Sequence, residues 1–326
     1  MEKRSPYQSL VKTFQRLSRF SHLSAIAGWD MFTMMPPGGS AARGEALAEL
    51  GVLQHQILTD KKVGEWLRNA LQEELNDAEQ ANLREMTRQY EQAALLPESL
   101  VEAKSLAGSR CEHAWRSQRP ANDWQGFAEN LREVVKLSRE EAQIRAAAKD
   151  CSRYDALLDI FEPDMTSARL DVLFADLKSW LPTLLEKVVE KQAQTPLLEP
   201  QGPFPIADQR ELGLEAMRVL GFDFDGGRLD ISAHPFCGGV PQDVRITTRY
   251  NENDLLSALF GVIHETGHAR YEQNLPRNWI DQPIALARST AIHESQSLFF
   301  EMQLGRSEAF LQRLLPTVRQ IGRAHV

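Results

Sequence analysis

His264, Glu265 and His268 sit within one helical run, LFGVIHETGHARYEQN, from Leu259 to Asn274. Positions i and i+4 of an α-helix lie on one face about a turn apart, so two imidazoles there can hold a single ion. Glu265 stands beside the first histidine, where its carboxylate can reach a water at that ion without ligating it. This is an H-E-x-x-H arrangement, and the chemistry it allows is metal-assisted hydrolysis. An ion so held lowers the pKa of its water, and the neighbouring carboxylate takes the proton.

Catalytic zinc takes three protein ligands and keeps one position for water, so a third ligand must come from elsewhere. The next helical stretch carries His293 and Glu294, the latter 294 − 268 = 26 residues after His268. That separation leaves room for a helix end, a loop and an antiparallel return. Adjacent helical residues point about 100° apart, so His293 and Glu294 do not both face one ion easily. If Glu294 ligates, His293 supports the site from behind or packs. Upstream, His234 is a candidate oxyanion stabiliser. Asp243 and Arg245 are two apart on a candidate strand and share a face, either as a supporting ion pair or as substrate contacts.

The elements that must position these groups are mostly helices. Ser5 and Pro6 read as an N-cap and first turn, Asn76 and Glu79 as a capping box, and Thr166 as the cap of a long helix that holds Pro182. Between about Thr195 and Tyr250 the texture changes. RLDIS and DVRITTRY are the best strand candidates, joined by a glycine-rich connection. The expected architecture is therefore mainly α, with a small antiparallel β-sheet just before the HETGH helix.

Composition narrows the function classes. The 326 residues are 42% hydrophobic and 25% charged, which is ordinary for a soluble globular protein. A net charge of -8 without a basic cluster argues against nucleic acid or anionic membrane as a main partner. Cys111, Cys151 and Cys237 are few and far apart, which fits a reducing compartment, and a cytoplasmic location is expected.

Four motifs then occur in order: HPF (His234–Phe236), DVRIT (Asp243–Thr247), HETGH and HESQ (His293–Gln296). With the segment from Trp29 to Leu50, they resemble the carboxypeptidase Taq family of metallocarboxypeptidases. The resemblance implies a long-cleft helical metallopeptidase that releases C-terminal residues from peptides by attack of a metal-bound water. It implies zinc, or cobalt, held by His264, His268 and Glu294, with Glu265 as catalytic base and a homodimeric assembly. The alternatives are an endo-acting oligopeptidase of the same helical zinc group and a catalytically impaired metal-binding fragment.

The sequence departs from that family at its end. The family's I/V-R-x-x-A-D motif does not occur, and the terminal IGRAHV matches a translation of a common sequencing adapter. Residues 1–320 are thus expected to form a single helical metallopeptidase domain, incomplete at its C-terminal end, with 321–326 a non-native tail. Leu298, Phe299, Phe300 and Met302 should then be exposed. Arg245, Arg249 and Arg288 remain candidates for anchoring a substrate carboxylate, since the planar guanidinium fork suits two oxygens.

Overall fold

Local capping signals start most of the helices. In the computed structural model, which describes residues 4–196 and 201–323 (side chains to 320), helix α1 spans Pro6–Thr33. Ser5 and Gln8 close a reciprocal capping box at its start. Helices α2 (Ser40–Thr59), α3 (Lys61–Ala70), α4 (Asp77–Ala94), α5 (Glu98–Gln118), α6 (Trp124–Lys149) and α7 (Arg153–Phe161) follow. Asn76 and Glu79 cap α4 in the same reciprocal way. Leu10 and Phe14 of α1, Val63 and Leu67 of α3 and Met86 of α4 form a buried core in this half.

Helix α8 (Ser167–Gln192) opens on the Thr166 side-chain cap and carries no buried residue. Its polar face is exposed. Its apolar stripe, including Phe174, Leu177, Trp180, Leu181, Leu184 and Leu185, is exposed as well.

The second half is built around one helix. After α9 (Ile206–Val219) come strands β1 (Gly227–Ile231), β2 (Cys237–Val240) and β3 (Asp243–Thr248), then α10 (Leu255–Gln273) and α11 (Thr290–Leu298). A π-helical segment, Phe299–Leu304, continues from α11, and α12 covers Glu308–Arg323. One side of α10 packs Val262 and Ala269 against Met217, Phe222, Val244 and Ile246. Its other side packs Leu259 and Ile263 against Leu212 of α9 and against Phe310 and Leu314 of α12. A helix apolar on several sides belongs inside a fold, and α10 is the buried axis of this half.

The sheet is mixed rather than antiparallel. Its order is β1-β3-β2, with β2 antiparallel to β3 and β1 parallel to it, Arg228 lying opposite Arg245. The two strand candidates do pair, but no hairpin joins them. The intervening chain returns through β2, whose CGGV sequence lacks the alternation by which strands are read, and β2 makes the antiparallel hairpin with β3 instead. At the end of that hairpin Gly239 has φ 94°, and a Cβ there would lie 2.0 Å from the Asp243 carbonyl oxygen. Glycine is the residue that fits.

Of the four apolar residues expected at the surface, Leu298, Phe299 and Met302 are exposed. Phe300 instead packs against the cluster around Ile263 and Phe310. The side chains of 321–326 and the backbone of 324–326 lie outside the described residues, and with them the expected tail.

Exposed apolar stripes bind hydrophobic dyes and favour self-association. The double variant Leu181→Glu/Leu185→Lys should lower dye fluorescence while changing unfolding free energy by no more than about 0.5 kcal/mol. A loss of several kcal/mol in urea unfolding would mean that this face is packed in solution.

Candidate metal centre

Two helices meet with almost no side-chain spacer between them. A Cβ on Gly267 of α10 would sit 2.6 Å from the Ser297 Cα of α11, closer than real atoms approach. Ser297 is fully buried at this crossing. On α10, His264, Gly267 and His268 stand at i, i+3 and i+4, so the histidines flank the contact. On α11, Glu294 lies one turn before Ser297. The start of α11 is fixed from outside: Ser289 caps it at Ile292 N–H, while Glu162 accepts from the Ser289 hydroxyl at 2.7 Å and from Ala291 N–H at 2.9 Å.

The crossing brings three of the sequence-predicted residues together. One ligand atom each from His264, His268 and Glu294 lies within 4.8 Å of the others. His264 Nε2 is 3.8 Å from Glu294 Oε1, and His268 Nε2 is 3.2 Å from Glu294 Oε2. Donors around a tetrahedral ion with bonds of about 2.0–2.2 Å stand roughly 3.3–3.6 Å apart, so the trio is near the spacing such an ion requires. Two imidazole nitrogens and one carboxylate oxygen suit zinc by type as well.

Electrostatics match that geometry. Burial, then the neighbouring His293 and His264, outweigh Glu294 and lower the His268 pKa to about 4. His268 is thus neutral at pH 7, with a lone pair to offer. Glu265 is only 6% exposed. Burial first, and the charge of Glu294 second, raise its pKa to about 7. Its Oε2 is buried and has no hydrogen-bond partner among the described residues. An orphaned carboxylate oxygen beside three convergent donors fits a site built to receive an ion and a polar reactant. Glu265 and His268 also line a cavity of about 550 Å³ together with the residues of β2.

The other candidates stand outside this trio. His293 sits behind His268, with the two Nδ1 atoms 2.6 Å apart, and its ring lies 4.4 Å from that of Tyr271. Asp243 and Arg245 form a two-pronged ion pair at 2.7 and 2.8 Å, and the Arg245 guanidinium lies 4.7 Å from the Trp29 ring centre. His234 is exposed, its Nδ1 2.9 Å from the Pro235 carbonyl oxygen, and it does not line the cavity. Among the described residues around that cavity there is no arginine. Arg288 is engaged by Glu85 and Asp164, and Arg249 is exposed.

Sequence reasoning passed over two carboxylates. Glu301 Oε2 is 3.0 Å from His264 Nδ1, and Glu272 Oε1 is 2.8 Å from His293 Nε2. Their spacing was a usable signal. Glu272 follows His268 by four residues, and Glu301 follows Glu294 by 301 − 294 = 7, so each shares a helix face with a candidate ligand.

Fold and centre together define a mainly helical protein with a two-histidine, one-carboxylate cluster that could hold a metal ion beside a buried glutamate. The chain belongs to the carboxypeptidase Taq (M32) metallopeptidase family, whose model matches residues 9–325. It is 38% identical to thermostable carboxypeptidase 1 of Thermus thermophilus, over 98% of this chain and 65% of that protein. It is 35% identical to carboxypeptidase 1 of Bacillus subtilis, over 91% of this chain and 59% of that one. Metallocarboxypeptidase 1 of Trypanosoma cruzi superposes with a TM-score of 0.87 at 47% identity, covering 97% of this chain and 64% of that one. The chain thus spans less than two thirds of the length of each of these relatives.

Two outcomes follow from the centre. In chelator-treated protein, a Glu265 pKa raised from 4.5 to about 7 means that the folded state binds the extra proton between those values. The contribution of Glu265 to stability is therefore fully present below about pH 4.5 and lost as pH rises through 7. Relative to wild type, Glu265→Gln should gain stability over that range, on the order of 3 kcal/mol. Urea unfolding at pH 5 and pH 8 reads this directly, and a pH-independent difference would contradict it. Separately, Gly267→Ala should force the helices apart and destabilise the fold by about 1–3 kcal/mol or more. It should weaken zinc binding too, whereas unchanged stability and affinity would show that the crossing is not tight.

Proposed function

We propose that this chain carries the catalytic centre of a zinc-dependent carboxypeptidase that releases C-terminal residues from peptides. The convergence of His264, His268 and Glu294 beside the buried Glu265 is the observation that carries this reading. Membership of a family whose relatives are named carboxypeptidases supports it.

His264, His268 and Glu294 would hold a divalent ion, which would supply Lewis acidity toward water and the scissile carbonyl. Glu265 is the general base and then the acid: its free Oε2 takes the proton and delivers it to the leaving amine. A pKa of about 7 leaves Glu265 able to do both near neutrality. The burial that raises this pKa also keeps bulk water away from the carboxylate. The 550 Å³ cavity offers β2, Ser289 and Thr290 as walls for a peptide. Cobalt is the second metal this donor set would accept.

The reading extends to a cytoplasmic location, which three free cysteines support. The homodimeric assembly rests on family resemblance alone.

The test is hydrolysis of N-blocked dipeptides by the zinc-loaded chain, with and without chelator, together with end-group analysis of a longer peptide. Single alanine substitutions of His264, His268 or Glu294 should sharply lower bound zinc. Glu265→Gln should retain zinc and lose turnover by a factor of at least about 10². Full turnover in Glu265→Gln, or in the presence of chelator, would refute the mechanism.

A further inference from the structure

Two hydrogen-bonded chains run outward from the paired histidines, one from each. From His264 Nδ1 the path goes to Glu301 Oε2 at 3.0 Å, and Arg306 holds the other oxygen of Glu301 at 3.1 Å. From His268 Nδ1 the path goes to His293 Nδ1 at 2.6 Å, and from His293 Nε2 to Glu272 Oε1 at 2.8 Å. The inward-facing atoms of both candidate ligands are their Nε2 nitrogens, each directed at one oxygen of Glu294.

With the Nε2 atoms that face Glu294 reserved for an ion, proton counting along these outward chains leaves one arrangement. A carboxylate only accepts, so Glu301 requires a hydrogen on His264 Nδ1, and Glu272 requires one on His293 Nε2. A neutral imidazole has one N–H, so His293 Nδ1 must then accept. The hydrogen between the two Nδ1 atoms therefore belongs to His268. Both candidate ligands end with a lone pair on Nε2, the atom that faces Glu294.

Without Glu272 the opposite arrangement is equally good for His268. His293 could donate from Nδ1, and His268 could turn its N–H toward Glu294 across 3.2 Å. That form has no lone pair to give an ion. The carboxylate at the far end of the chain decides between the two.

We propose that Glu301 and the His293–Glu272 pair are positioning groups that fix His264 and His268 in the tautomer whose Nε2 lone pair faces Glu294. This rests on the reading of His264, His268 and Glu294 as metal ligands. Outer partners of this kind orient ligand imidazoles and raise their basicity. The backbone supports the assignment: Glu301 lies in the π-helical segment Phe299–Leu304, and such insertions gather at functional sites.

The test uses the histidine-labelled 326-residue chain and two readouts. In chelator-treated wild type, two-bond ¹H–¹⁵N correlation spectra should show His264 and His268 as Nδ1–H tautomers. In Glu272→Ala, His268 should shift toward Nε2–H; in Glu301→Ala, His264 should do the same. Zinc affinity, measured by chelator competition, should fall by about 10–100-fold in each. Glu301→Gln keeps an acceptor oxygen and should recover most of both readouts, which a change in packing alone would not predict. If Glu272→Ala unfolds, as judged by far-UV circular dichroism, His293→Phe serves as the second variant and should lower zinc affinity similarly.

Wild-type tautomers of the Nε2–H kind, or variants that match wild type in both readouts, would overturn the proposal. Wild type with Nδ1–H tautomers but no zinc binding would instead overturn the peptidase reading and leave the positioning chains established.

Discussion

The backbone contact between Gly267 and Ser297 sets the separation of the two helices from which every inner residue of the centre projects. At that crossing α10 and α11 touch without a side chain between them, and a single methyl on Gly267 would collide with the Ser297 Cα. His264 and His268 are carried on one side of the contact and Glu294 on the other, all within a turn of it. Because an α-helix is stiff over such a distance, fixing the crossing fixes the spacing of the three donors. The apolar packing of α10 against the sheet and against α9 and α12 holds the axis in place. The Glu162 anchor at the start of α11 holds the other helix.

That closeness has an electrostatic consequence. Glu265, beside His264 on α10, is buried near the charge of Glu294 and holds its proton up to about pH 7. The same burial keeps His268 neutral. Both shifts oppose the charged form of each group, and both destabilise an ionised centre in the absence of a cation. A site that is costly to bury and carries an unpartnered carboxylate oxygen has the character of a functional centre, not of a core selected for stability.

Much of the centre was legible because helical spacing is short-range. His264, Glu265 and His268 are readable within one turn, and the return to Glu294 needs only a loop of plausible length. The Asn76 and Thr166 caps were legible for the same reason, since cap and capped amide are three residues apart. What depends on long-range pairing was not. β2 is half glycine and gives no alternating pattern, so the parallel pairing of β1 with β3 could not be read from either strand alone. His234 belongs to a motif, but its backbone turns the ring outward, and only Pro235 and Phe236 reach the cavity. Glu272 and Glu301 were visible as spacings yet indistinguishable from ordinary solvated glutamates until the facing helix was in place.

Anomalous diffraction at the zinc edge from zinc-soaked crystals would place the ion without reference to activity. A single strong peak within about 2.0–2.2 Å of His264 Nε2, His268 Nε2 and a Glu294 oxygen, with Glu265 near but not bound, is the expected result. A peak coordinated by His293 in place of Glu294, or no peak between the two helices at saturating zinc, would contradict it.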